Sequence, residues 1–124
     1  MLDSGAVTYL TGRSRASAAI VKVYKARGLW PPTIPSVVLV ECLQGHVARD
    51  AAVNALLQSC VVVEQVSVRM ARRAALLRRL ARTGSAVDAL VVALAEPNGV
   101  VLTGDVGDLE ALAAYATGVL VERV

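Results

Sequence analysis

Between Ser85 and Leu112 the chain reads SAVDALVVALAEPNGVVLTGDVGDLEAL, and no other stretch limits its fold as tightly. An apolar segment of helical length stops at the turn signal Pro97-Asn98-Gly99. Val100, Val101 and Leu102 follow as a short run suited to a buried strand. Thr103-Gly104-Asp105-Val106-Gly107-Asp108 then makes a loop with two acids and two glycines. In an α/β sheet, the loop at the carboxyl end of a strand is where ligands bind. Asp88 stands at the start of the helical part among apolar neighbours, where a bare charge would be costly to bury.

Around this stretch, strands alternate with helices. Met1-Leu2-Asp3-Ser4-Gly5 reads as a strand end and a turn, with Ala6 to Leu10 opening a short helix. Ser14 can cap a helix to Ala26, closed by Gly28. Thr33-Ile34-Pro35 can be only a short strand, since proline interrupts a ladder. Ser36 then fits as the cap of a helix to about Gly45, with Glu41 in its second turn. Further helices are expected over Ala48–Gln58, Ser67–Arg82 and Asp108–Ala116, and strands over Cys60–Val63 and Val119–Val121. The alternation predicts an α/β fold, a three-layer α/β/α sandwich on a mainly parallel sheet of about five short strands.

At 124 residues the chain is read as one domain with room for a real core. Its 56% apolar content exceeds the usual range of roughly 45–50%. Either elements are buried on both faces, or a partner covers apolar surface. The Val7–Leu29 region, with Tyr9, Tyr24 and Trp30, is where such a partner surface is expected. No apolar run approaches the roughly 20 residues of a membrane span, and no signal peptide is evident, so a cytoplasmic protein is expected. Cys42 and Cys60 form no metal-type pair. A single histidine, His46, counts against chemistry that needs two imidazoles, and the few aromatic residues against a base-stacking platform. Walker A, GxGxxG, HExxH and paired CxxC motifs are absent.

The acids remain. Asp3 ends the first strand, Glu41 is the lone acid of VVLVECLQG, Asp88 has apolar neighbours, and Asp105 and Asp108 follow the VVLT strand. Taken singly, an aspartate after a strand is most often a cap or turn former, a description that suits Asp108. Taken together, carboxylates at one sheet edge would repel and take up protons unless a hard cation offset their charge. Such a site suits phosphoryl chemistry.

Leu2-Asp3-Ser4-Gly5-Ala6, Ser36 with Glu41, Asp88-Ala89-Leu90, and Thr103-Gly104-Asp105 with Asp108-Leu109 resemble the motifs of PIN-domain ribonucleases. The resemblance is nearest to the small VapC-type toxins of bacterial toxin–antitoxin pairs and spans nearly the whole chain. It implies an endoribonuclease dependent on Mg²⁺, with Mn²⁺ as a substitute. Asp3, Glu41, Asp88 and Asp105 would take the catalytic, metal-holding roles, with Asp108 an auxiliary metal-site acid and Ser4 and Thr103 polar supports. It also implies a homodimer, an RNA substrate and a cognate VapB-type antitoxin. Gly104 departs from the pattern, standing where many relatives have a basic residue. The short apolar lead into Asp3 departs too. It raises either a start upstream of Met1 or the alternative of a weakly active or inactive PIN-like module that binds RNA or protein.

Arg69, Arg72, Arg73, Arg78, Arg79 and Arg82 crowd one predicted helix. At about 100° per residue, Arg72, Arg78, Arg79 and Arg82 fall opposite Met70, Ala74 and Leu77. This face is either simply solvated or a track for an RNA backbone, with Arg72, Arg79 and Arg82 as its contacts. Arg13, Arg15, Lys22, Lys25 and Arg27 form a second basic group.

Overall fold

The computed structural model describes residues 1–12 and 14–124; Arg13, counted above in the second basic group, lies outside the described residues. Asp3 caps α1 (Ser4–Thr11) by accepting the Ala6 N–H at 2.7 Å, so the helix begins earlier than the turn expected around Gly5. Ser14 caps α2 (Arg15–Ala26) in the same way through the Ser17 N–H. Each such bond satisfies one of the first amides, which have no partner inside the helix.

The short strand β1 (Thr33–Pro35) runs directly into α3 (Ser36–Cys42). Pro35 rather than Ser36 occupies the cap position there, and the Ser36 hydroxyl donates instead to the Glu64 carbonyl. The helix ends at Cys42, short of Gly45, because the chain must turn before α4 (Val47–Leu57). Asp50, buried in the first turn of α4, accepts the Gln44 and His46 amides at 2.9 Å each and holds that turn closed. β2 (Val61–Val63), α5 (Val68–Ala81), α6 (Ala86–Ala95), β3 (Val100–Thr103), α7 (Gly107–Ala113) and β4 (Leu120–Arg123) complete the order.

The α/β alternation is as expected, but the assigned strands form two parallel pairs rather than one sheet of about five. β1 pairs with β2, Thr33 opposite Val61, and β3 pairs with β4, Val100 opposite Leu120. Met1–Asp3 lies against both β1 and β3. The Leu2 N–H donates to the Thr33 carbonyl at 2.9 Å, and the Leu102 N–H donates to the Met1 carbonyl at 2.9 Å. Leu2 makes a single parallel bridge to Leu102, because Asp3, still extended, is already the cap of α1 and the chain turns helical at Ser4.

Leu2, Ile34 and Val101 from the sheet elements and Val7, Val38, Leu77, Val92 and Leu112 from the helices are fully buried. Each such side chain contributes about 1.5–3 kcal/mol relative to exposure. Ala74 and Leu77 face the core from α5 while Arg72, Arg79 and Arg82 are exposed, as the spacing predicts.

Of the residues expected to carry a partner surface near the N-terminus, Tyr9 and Trp30 are half-buried, and Val23 within the same region is exposed. Val7 and Tyr24 are buried. The Tyr24 hydroxyl donates to Glu122, which also takes a bidentate pair from Arg27 at 2.7 and 2.8 Å, so this aromatic ties α2 to β4. The large apolar side chains most exposed are Val47, Val40 and Val68, at 90, 82 and 69%. Among the described residues no helix is long and apolar enough to cross a membrane.

Candidate metal centre

A cleft of about 420 Å³ opens where α1, α6 and the β3–α7 loop meet, and Asp3, Asp88, Asp105 and Asp108 all line it. Ser4, Gly5, Gly104, Gly107 and Leu109 complete the wall, so the lining contains four acids and no basic side chain. Its floor is backbone. A β-carbon on Gly5 would lie 2.9 Å from the Gly104 amide nitrogen, so any side chain there would push the start of α1 away from the β3–α7 loop. The absence of a basic residue at Gly104 thus leaves the cleft purely anionic.

Asp3 is held most firmly. Its Oδ1 takes the Ala6 amide and its Oδ2 takes the Thr103 hydroxyl at 2.5 Å. Thr103, at the end of β3, is fully buried, and its oxygen also lies 2.8 Å from the Asp105 carbonyl and accepts the Asp105 N–H. One hydroxyl proton cannot serve both acceptors at once, so Thr103 couples the placement of Asp3 to that of the Asp105 loop. Burial pushes the Asp3 carboxyl above its usual range, and the charges of Asp88 and Glu41 push in the same direction.

Asp88 is not the enclosed charge that its neighbours suggested. Ala89, Val91 and Val92 turn to the core while Asp88 stays half-exposed on the first turn of α6. There it forms a capping box, its carboxylate accepting the Ser85 N–H at 2.8 Å and its own N–H donating to the Ser85 hydroxyl. The Ser85-x-x-Asp88 spacing carried that signal in the sequence. Asp105 is exposed, its Oδ1 turned back to the Gly107 N–H at 3.2 Å. Asp108, also exposed, accepts the Thr83 hydroxyl, a partner that nothing in the sequence pattern announced. Ser4, half-buried, lines the cleft beside Asp3.

Glu41 is exposed on α3 and is not part of the lining, although its charge reaches Asp3 and Cys42. Burial first, then those two carboxylates, pushes the Cys42 thiol up to about 11, which makes it a poor nucleophile at neutral pH.

Among the described residues, no three carboxylate, imidazole or thiol groups stand together closely enough to form a finished metal cage. By donor type the cleft nevertheless fits a hard divalent cation. Its side-chain donors are oxygens only, four carboxylates and the Ser4 hydroxyl, and the second oxygens of Asp88, Asp105 and Asp108 have no hydrogen bond from the protein among the described residues. A cation would also offset the charges of Asp88 and Glu41, which push the Asp3 carboxyl upward.

Of the six arginines around α5, Arg73 is not part of a free basic face. It makes a bidentate pair with Glu96 at 2.8 and 2.6 Å. Arg78 donates to the Gly84 carbonyl. Arg72, Arg79 and Arg82 are exposed and take part in no ion pair among the described residues.

No known protein family matches the chain, and no curated protein matches it either.

Proposed function

We propose that the protein is a divalent-metal-dependent endoribonuclease, a PIN-like toxin that hydrolyses RNA phosphodiester bonds and is neutralised by a cognate antitoxin. The observation that carries the reading is the cleft lined by Asp3, Asp88, Asp105 and Asp108 with no basic side chain among them. The likeness of the surrounding motifs to the VapC-type toxins supplies the biological role, the homodimer, the antitoxin partner and a cytoplasmic setting. In the same reading the two strand pairs and Met1–Asp3 make one parallel sheet, in the order β2, β1, Leu2, β3, β4, within a three-layer sandwich. The hydrogen bonds from Leu2 to Thr33 and from Leu102 to Met1 support that continuity.

Asp3, Asp88, Asp105 and Asp108, which line the cleft, would hold Mg²⁺, or Mn²⁺ in its place, with Glu41, outside the lining, in support. When bound, the ion supplies neutralisation of phosphate charge and acidification of a water. The chain's own residues do the rest. Thr103 fixes Asp3, the capping box fixes Asp88, and the close approach of Gly5 to Gly104 fixes the backbone wall between them. Arg72, Arg79 and Arg82 neutralise the flanking RNA backbone without reading its sequence.

The test is cleavage of a structured RNA. Activity is expected with Mg²⁺ or Mn²⁺, lost in EDTA and restored by excess metal. Asp105→Asn is the most telling variant, because Asp88→Asn also alters a helix cap. Cleavage that continues in chelator, or full activity in Asp105→Asn, would defeat the reading.

A second reading, a PIN-like module that binds RNA or protein without catalysis, draws on the lack of a finished cage and on Asp3 having both oxygens engaged. RNA binding that is unchanged by chelator and accompanied by no cleavage would favour it.

A further inference from the structure

The turn between α5 and α6 touches two of the four cleft acids. Arg82 ends α5 in the left-handed region, φ 56°, its N–H bonded to the Arg78 carbonyl at 2.9 Å. Gly84 also has a positive φ, 84°, and a β-carbon there would lie 2.6 Å from Cδ1 of Leu112, a fully buried residue of α7. The Arg78 guanidinium braces the same turn by donating to the Gly84 carbonyl at 3.1 Å. The turn therefore has little freedom to shift against α7. From it, the Thr83 hydroxyl donates to Oδ1 of Asp108 at 2.5 Å, and Ser85 forms the capping box with Asp88.

Asp108 is exposed, and without a partner its side chain would be free to exchange among staggered rotamers. Threonine is a stiff anchor, since its branched β-carbon restricts its own rotation. We infer that Thr83 is a positioning residue, whose hydroxyl holds Asp108 in its cleft-lining orientation and so sets the cleft's affinity for a divalent cation. The affinity half of this inference rests on the metal reading above; the orientation half does not.

The experiment compares wild type with Thr83→Val, which keeps the shape and loses the hydroxyl, and with Thr83→Ser, which keeps the hydroxyl. Thr83→Ala serves as a second hydroxyl-free variant if the valine protein folds poorly, with melting in EDTA as the check on folding. Side-chain NMR couplings at Asp108, measured in EDTA, report its rotamer. Mn²⁺ binding followed by electron paramagnetic resonance reports affinity without any substrate.

Wild type and Thr83→Ser should show a single Asp108 rotamer, and the hydroxyl-free variants rotamer averaging. Their Mn²⁺ affinity should fall on the order of tenfold, as loss of a supporting hydrogen bond to a ligand does, with Thr83→Ser close to wild type. A single rotamer retained without the hydroxyl would overturn the inference, as would averaging with unchanged Mn²⁺ affinity. A wild type that binds no Mn²⁺ while the rotamers behave as expected would overturn the affinity half together with the metal reading.

Discussion

Glu96 shows how much a single side chain can do at the end of a helix. It takes two bonds from Arg73 and one from the Thr117 amide, joining α5, the end of α6 and the approach to β4. The Arg73 hydrogen bonds are the first cause that holds its carboxyl below the usual value of 4.5. A carboxyl whose pKa is lower in the folded state stabilises the fold above its unfolded value and loses that contribution as pH falls through the folded one. Glu96→Gln should therefore cost about 1–3 kcal/mol at neutral pH, the scale of a charge-assisted hydrogen bond. The cost should shrink well below pH 4.5, which urea unfolding at pH 7 and pH 3 would show; equal losses at both would contradict it. At this scale the sequence was partly legible. Asp105 could be placed just after a strand because Val100, Val101 and Thr103 are β-branched, whereas Met1-Leu2 before Asp3 carries no such signal and makes only a single bridge. Asp88 could not be read from its apolar neighbours, since helical rotation sends those to the core and leaves the aspartate outside. The Thr83–Asp108 bond and the Arg73–Glu96 pair join residues far apart in the chain, and no local pattern encodes such contacts.

At the scale of elements, α5 was the most legible, because a helix with arginines on one face and Ala74 and Leu77 on the other has one sensible orientation. Leu77 is fully buried, so Leu77→Ala should cost about 2–5 kcal/mol in urea unfolding. The exposed face makes a separate prediction. If Arg72, Arg79 and Arg82 meet RNA phosphates, replacing all three with Ala should weaken binding and reduce the salt slope by roughly 2 to 3, from about 0.7–0.9 per contact. The circular dichroism spectrum should not change, and an unaltered slope would leave a merely solvated face. The α5–α6 turn is less tolerant. Gly84→Ala would strain a positive φ and press on Leu112, costing about 1–3 kcal/mol by overpacking alone. Melting temperatures of the variant and wild type would check this. Helix starts at Asp3, Ser14, Ser67 and Ser85 follow from cap chemistry, whereas the ends drifted by a few residues, because helix termination depends on what the chain must reach next.

For the whole molecule, the alternation of helices and strands was enough to predict an α/β fold, but not the pairing of strands three or four residues long. Strands so short are assembled by tertiary hydrogen bonds, such as Leu2 to Thr33, rather than by their own periodicity. The high apolar content has two outlets: a core that takes up Leu2, Ile34, Leu77, Val92 and Leu112, and exposed valines such as Val40 and Val47. Thermal unfolding against Mg²⁺ concentration tests the proposed binding of a divalent cation in the acidic cleft without any assumption about substrate. A ligand that binds only the folded protein adds about 2.7 kcal/mol at a hundredfold excess over its Kd. The melting temperature of the wild type should climb with Mg²⁺ or Mn²⁺, and that of Asp105→Asn should climb much less. A wild type whose melting temperature ignores both cations, or an Asp105→Asn protein that responds as fully as the wild type, would contradict the proposed binding.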